Sequence, residues 1–280
     1  MEQIKIKTNA KVNFTLDILG KRNGYHEIKS LVATINLYDE ITLKARQDNK
    51  IVLTVIGDAG CSNNYNNAYK TAKLFQETFN TCGIDILLKK QIPLSSGLGG
   101  SSADVSGVLR GLKLLLGIDC DISPLASKID SDSTYMLRGG FAVMSGLGGK
   151  VKYLDVNSKF YILVCLSKQK VSSLNAYKKY DEQNVVFAEK TSMAEKHLIM
   201  GNFEKFCDDL KNDLFFASKS IAPEIGTNYE ILKQYAPTVM SGSGSAVFSV
   251  FKTPQEMYKV YMNLASKYGM QNKLIKTETV

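Results

Sequence analysis

The stretch Pro93-Leu94-Ser95-Ser96-Gly97-Leu98-Gly99-Gly100-Ser101-Ser102-Ala103-Asp104 has residue types and spacing suited to chemistry. Three glycines and four serines fall within residues 95–102. The apolar run Ile84-Asp85-Ile86-Leu87-Leu88 precedes it, and Val105, Val108, Leu109, Leu112, Leu115 and Leu116 follow at helical spacing. That pattern predicts a strand, a glycine-rich loop and a helix start. The first amides of a helix have no partner inside it, and the helix dipole makes that end positive. Glycines let the backbone approach an anion closely and turn several amides toward it. The guest that suits this arrangement is a phosphate. The loop is no Walker A motif, because no Gly-Lys-Ser/Thr follows, and a serine stands where a dinucleotide fingerprint needs its third glycine. On the residues alone, the competing reading is a flexible Gly/Ser turn that opens a helix.

Other stretches offer reactive groups. Gly20-Lys21-Arg22-Asn23-Gly24-Tyr25-His26 reads as a turn-rich loop with two cations, an aromatic and one of the chain's 2 histidines. Asp130-Ser131-Asp132-Ser133 supplies two carboxylates and is equally a good helix-capping cluster. Met240-Ser241-Gly242-Ser243-Gly244-Ser245 is a second Gly/Ser loop, feeding an alternating strand through Val250.

The elements that must position these groups are mixed. Strands are expected over 4–19 in two pieces around Asn9-Ala10-Lys11, then over 27–35, 40–44, 50–55, 151–154 and 160–165, with a last one over 273–277. Helices are expected over 65–79, 174–180, 193–200, 203–210 and 223–232, and from Pro254 to Tyr268. This mixture in both halves indicates an α+β protein in two layers. Its 280 residues, 44% hydrophobic, suffice for two compact domains. A net charge of +8 is spread along the chain, which suits a polyanionic substrate better than nucleic acid, because no basic cluster interleaves with aromatics. Five cysteines, Cys61, Cys82, Cys120, Cys165 and Cys207, form no CxxC pair, so neither a disulfide framework nor a zinc site is expected. With no signal-peptide pattern and no apolar run of membrane-spanning length, the expectation is a cytoplasmic protein without a membrane partner.

The glycine loop resembles the Pro-x-x-x-Gly-Leu-Gly-x-Ser-Ser/Ala pattern of the GHMP kinases, named for galacto-, homoserine, mevalonate and phosphomevalonate kinases. The resemblance implies that residues 93–102 wrap the phosphates of ATP. It also implies that Ser102, with Ser101 as second choice, helps hold Mg²⁺, and that Lys90 and Asn66 lie near the nucleotide. Asp104 is read as electrostatic support for the helix start.

Four segments narrow the resemblance: Ala10-Lys11-Val12-Asn13-Phe14-Thr15-Leu16, Gly24-Tyr25-His26, Asn212-Asp213-Leu214 with Pro223-Glu224-Ile225, and Met240-Ser241-Gly242-Ser243-Gly244. They are similar to the branch of the family that phosphorylates the 2-hydroxyl of 4-diphosphocytidyl-2-C-methyl-D-erythritol, a step of non-mevalonate isoprenoid (terpenoid) biosynthesis. The resemblance covers residues 5–250 and implies a ribosomal-S5-domain-2-like N-terminal domain (1–155) and a ferredoxin-like C-terminal domain (156–280). It implies Asp132 as general base, with Asp130 as the alternative, and Lys11 as the cation that orients it. Tyr25, His26 and Tyr177 would hold the cytosine, and Gly242 and Ser243 would close over the substrate. The family's Gly-Ala-Asp-Val-Pro motif is replaced here by Asp130-Ser131-Asp132-Ser133-Thr134. That departure keeps open a catalytically weak ATP-binding regulator, beside another GHMP kinase of mevalonate or homoserine type. A monomer or homodimer is expected.

Overall fold

The computed structural model describes residues 3–58, 65–183, 188–270 and 273–280. Cys61 lies outside them. In chain order the elements begin β1 (Gln3–Asn13), β2 (Thr15–Arg22), β3 (Tyr25–Ala45), β4 (Ile51–Ile56), α1 (Asn67–Phe79), β5 (Ile84–Lys89) and α2 (Gly100–Leu115). They continue with α3 (Ser123–Ile129), α4 (Ser133–Met136), β6 (Phe141–Gly146), β7 (Lys150–Leu154), β8 (Tyr161–Cys165), α5 (Ser173–Asp181), α6 (Thr191–Ile199) and α7 (Phe203–Asp208). The last are β9 (Lys211–Asn212), α8 (Phe215–Ile221), α9 (Pro223–Lys233), β10 (Thr238–Met240), β11 (Val247–Phe251), α10 (Pro254–Tyr268) and β12 (Leu274–Glu278). The two strands expected over 27–35 and 40–44 are one 21-residue strand. The break in the N-terminal strand falls at Phe14, not at Asn9–Lys11. No described helix is long and apolar enough to cross a membrane.

The chain forms two compact units that do not follow chain order. The first comprises Met1–Ala10, Leu37–Leu94 and Gly99–Gly139; the second comprises Lys11–Asn36, Ser95–Leu98 and Gly140–Val280.

In the first unit the C-terminal part of β3 pairs antiparallel with β5, from Glu40↔Lys89 to Ala45↔Ile84, and β5 pairs parallel with β4. Alternation along β5 puts Ile84, Ile86 and Leu88 on the buried face, against Phe75 of α1 and Val105, Val108, Leu109 and Leu112 of α2. Gly107 and Gly111, one turn apart, let α2 lie close to the sheet. A Cβ there would stand 2.6 Å from Ile41 Cδ1 and 2.5 Å from Leu43 Cδ1 respectively.

In the second unit β2, β3, β6 and β7 pair antiparallel in that order, and β9 adds to β2 in parallel. A second sheet has the order β10-β11-β8-β12 and is antiparallel throughout. Helices join β8 to β10 and α10 joins β11 to β12, which is the β-α-β-β-α-β plan of ferredoxin-like folds. Five phenylalanines, Phe14, Phe141, Phe160, Phe206 and Phe248, pack ring against ring with centroid spacings from 5.1 to 6.2 Å. The bounds expected for α10 agree with the structure for local reasons. Thr253 and Glu256 form a capping box, Pro254 opens the helix, and Gly269 closes it in a left-handed conformation.

Candidate active site

The glycine loop leaves β5 at Lys89 and enters α2 at Gly100. Its backbone has positive φ at Ser95 (52°), Gly97 (78°) and Gly99 (73°). Such alternation turns successive amides toward one side and makes a concavity for an anion. No side chain caps α2, so its first amides stay available for a ligand. Gly100 keeps the floor of the loop open, since a Cβ there would stand 3.0 Å from Ile92 Cγ2 and 3.5 Å from Lys90 Nζ. The loop therefore fits the phosphates of a nucleotide.

In the first unit, Lys90 closes the strand-to-loop corner. Its ammonium is buried and bridges Asp39 Oδ2 at 2.5 Å and Asp104 Oδ2 at 2.7 Å. Asp39 Oδ1 meanwhile accepts the amides of Gln91 and Ile92 at 2.5 and 2.8 Å. Lys90 thus pins the corner from which the glycine loop departs. Burial pushes the Asp104 carboxyl up to about 7 and prevails over the opposing pull of Lys90; the like charge of Asp39 adds to the rise. Burial also works to lower Lys90, but its two carboxylates prevail and hold it above the ordinary lysine value. Asp104 is more than a surface charge at a helix start.

Asn66 caps α1: its Oδ1 accepts the Ala68 amide at 2.9 Å. Asn67 is the neighbour that reaches the loop, donating to Ser101 Oγ at 2.8 Å. Ser101 is exposed and Ser102 is buried in the first turn of α2. Of the two acids, Asp130 accepts the Asp132 amide through Oδ1 at 2.9 Å, while Asp132 makes no side-chain cap on α4. Asp130 thus closes the turn that precedes α4.

In the second unit, Lys11 is buried on β1, and its Nζ donates to Asn13 Oδ1. Its amide donates to Leu98 O at 2.9 Å. Ser241 Oγ donates to Gly97 O at 2.9 Å, and the amides of Ser245 and Ala246 donate to Ser95 O and Ser96 O at 3.3 and 2.9 Å. The second Gly/Ser loop is thereby knitted to residues 95–98. Both glycines involved are required by close approach. A Cβ on Gly97 would stand 2.0 Å from Ser241 O, and one on Gly242 would stand 3.1 Å from Gly97 O and 3.5 Å from Lys11 Nζ. Ser243 Oγ hydrogen-bonds Ser173 Oγ at 3.0 Å, and its carbonyl accepts from Ser218 Oγ at 2.8 Å. Asn212 Nδ2 donates to the carbonyls of Met240 and Gly242 at 2.7 and 2.8 Å, which fixes the loop from behind.

Of the residues expected to hold a base, His26 and Tyr177 meet in the same unit. Tyr25 and His26 open β3 after a tight turn at Asn23-Gly24, both with positive φ. His26 stacks on Tyr177 of α5 with ring centroids 4.6 Å apart and planes 21° apart. Asp181 Oδ1 lies 2.8 Å from His26 Nε2, and its Oδ2 accepts from Lys21 Nζ at 2.7 Å. Tyr25 is 68% exposed and leaves its ring free for a ligand. The anchored imidazole, stacked on Tyr177, offers a ring face and a polar edge suited to a flat heterocycle.

Residues 66–149 match the family model described as GHMP kinases N terminal domain, and residues 192–269 match GHMP kinases C terminal. A protein of Caldicellulosiruptor saccharolyticus named 4-diphosphocytidyl-2-C-methyl-D-erythritol kinase is 34% identical over 261 residues, covering 91% of this chain and 90% of its own. The chain belongs to the GHMP kinase family. As a GHMP kinase it is an ATP-dependent small-molecule kinase. Among solved structures, a 4-(cytidine 5'-diphospho)-2C-methyl-D-erythritol kinase superposes with TM-score 0.82 at 25% identity over 99% of this chain and 100% of that one. The homoserine kinase of Cytophaga hutchinsonii superposes with TM-score 0.77 at 19% identity over 100% and 95% of the two chains, which speaks for the fold alone.

This GHMP kinase also uses residues that sequence reasoning did not single out. Asn13 and Ser241 stood inside quoted motifs; for Asn13, polarity within an apolar strand-like run was the available signal, while Ser241 was one of several serines in its loop. Asp181 and Asp39 gave none, because each works on a residue far away in the chain.

Proposed function

We propose that the chain transfers the γ-phosphoryl group of ATP to the 2-hydroxyl of 4-diphosphocytidyl-2-C-methyl-D-erythritol, in the cytoplasm, as a step of isoprenoid precursor biosynthesis. The observation that carries this reading is the end-to-end similarity to the Caldicellulosiruptor kinase of that name. The anchored His26–Tyr177 stack and the exposed ring of Tyr25 support it, since a cytidine diphosphate substrate needs a base platform. By chain order, the division 1–155 and 156–280 is kept as the domain boundary; the two family matches lie on either side of it. The protein acts as a monomer or homodimer, which light scattering would distinguish.

The loop of residues 93–102 binds the nucleotide phosphates through amides. Mg²⁺ would be held by Ser102 Oγ with phosphate oxygens, a hard-oxygen set that suits it, and it supplies neutralisation of phosphate charge. Asp132 takes the hydroxyl proton as that oxygen bonds to the γ-phosphorus and the bond to the ADP oxygen breaks. Lys11, buried and oriented by Asn13, supplies fixed positive charge for the developing oxyanion. Tyr25, His26 and Tyr177 hold the cytosine, and Gly242 and Ser243 position the substrate.

The test is ADP release with Mg·ATP, comparing the cytidyl methylerythritol substrate with mevalonate, homoserine and galactose. Turnover with the cytidyl compound alone is expected; turnover with mevalonate or homoserine instead reassigns the acceptor. ATP binding with no turnover on any acceptor would make the chain a regulator.

A further inference from the structure

We infer that the second unit carries another binding site, for a small ring-bearing anion, in a cavity of about 540 Å³ beside the edge strand β10. Its volume lies within the span of small-molecule sites, roughly 300–1,000 Å³. Phe215 and Phe216 of α8 and Tyr229 of α9 form one side; Val239 and Met240 of β10 form another. Phe215 and Tyr229 are already ring to ring, with centroids 4.4 Å apart and planes at 45°. A flat guest would extend that aromatic pair.

The charge at the walls selects an anion. Lys211 is taken by Asp213 at 2.7 Å, a pair that cancels on the wall, and also reaches Asp17 behind it at 3.5 Å. Lys219 and Lys233 make no ion pair among the described residues. They rest over rings instead, Lys219 Nζ 4.8 Å from the Phe216 centroid and Lys233 Nζ 5.5 Å from that of Tyr229. Glu230 is the remaining wall carboxylate, which leaves the wall net positive. An ammonium held only by a ring, as over exposed Phe216 and half-buried Tyr229, is weakly bound and swings readily to an anionic group. The guest is therefore a ring with one carboxylate, sulfonate or phosphate.

The cavity also reaches the Gly/Ser loop. Asn212 lines it and at the same time holds the carbonyls of Met240 and Gly242. A guest that packs on Asn212 and Met240 restrains that loop from behind. None of the ring or lysine residues of the cavity belongs to the candidate active site, so this inference stands independently of the proposed acceptor.

The chain contains no tryptophan, so Tyr229→Trp places a sole indole in the cavity. Titration with 8-anilinonaphthalene-1-sulfonate, read by energy transfer from that indole, should saturate at one probe per chain. The double variant Lys219→Glu/Lys233→Glu in the same background should weaken it by about tenfold. The uncharged N-phenyl-1-naphthylamine should be indifferent to those charges. Phenyl phosphate should displace the sulfonate probe and inorganic phosphate should not. In the unmodified chain, bound probe should slow amide exchange at Ser241 and Gly242. Absence of saturable transfer, equal affinity in the charge variant, or displacement by inorganic phosphate overturns the site. Unchanged exchange at Ser241 and Gly242 overturns its link to the loop.

Discussion

Asp181 holds the edge of the His26 ring at 2.8 Å while the face of that ring lies on Tyr177. Two contacts at right angles fix an imidazole that would otherwise turn about χ2. In Asp181, burial opposes the hydrogen bonds from Lys21 and His26, and the bonds prevail and hold its carboxyl below the ordinary range. The carboxylate is therefore charged at neutral pH and accepts the hydrogen bond from the His26 ring edge.

Removing the platform should affect one substrate and not the other. Tyr25→Ala and Tyr177→Ala should each raise the KM for the cytidyl substrate by roughly 5- to 100-fold, the range of one base–aromatic stack. Asp181→Ala should do the same through His26. The KM for ATP should stay within about twofold of the parent. Steady-state kinetics with each substrate varied in turn checks this; an equal rise for ATP would assign these rings to folding.

Asp132→Asn should lower kcat by about 10²–10⁴-fold and leave ATP titration unchanged. Asp130→Asn should cost far less, because its carboxyl serves the turn that precedes α4 and an amide oxygen accepts the same hydrogen bond. A larger loss for Asp130→Asn than for Asp132→Asn would exchange their roles.

Gly97→Ala should be severe for a steric reason. Its Cβ would stand 2.0 Å from the Ser241 carbonyl oxygen, and the φ of +78° is itself unfavourable for alanine. We expect a loss of more than about 1 kcal/mol in denaturant unfolding together with loss of activity. Gly99→Val should block ATP titration while the core of α2 and β5 stays folded, because a branched side chain would stand at positive φ at the mouth of the anion cradle.

Stability should fall as pH rises through neutrality because of Asp104. Its carboxyl is raised to about 7 by burial, so the folded chain keeps a proton there that the unfolded chain has lost above pH 4. Folded molecules then bind more protons than unfolded ones between those values, and the contribution is present below that window and lost across it. Urea midpoints measured from pH 5 to pH 8 should decline, and Asp104→Asn, neutral at every pH, should flatten the decline. An unchanged slope in that variant would locate the effect elsewhere.

Some of this was legible in the residues themselves. The strand, loop and helix around residues 84–116 follow from apolar periodicity and from glycines that accept positive φ, and the cap of α10 follows from Thr253, Pro254, Glu256 and Gly269. These features are decided within a few residues, where backbone sterics and side-chain spacing act directly. The motif around Lys11 and the Gly-Tyr-His turn likewise point to particular chemistry. Most elements, the phosphate-binding loop and the family could be read from the residues, but the single long β3 could not, because its continuity depends on the strands that pair with it. The fold alone brings Lys90 to Asp39, 51 residues away, Asp181 to His26 across 155 residues, and Ser241 to Gly97 across 144. A buried ammonium or a stacked imidazole needs partners within a few ångströms, and it is the packing of strands and helices, not distance along the chain, that supplies them.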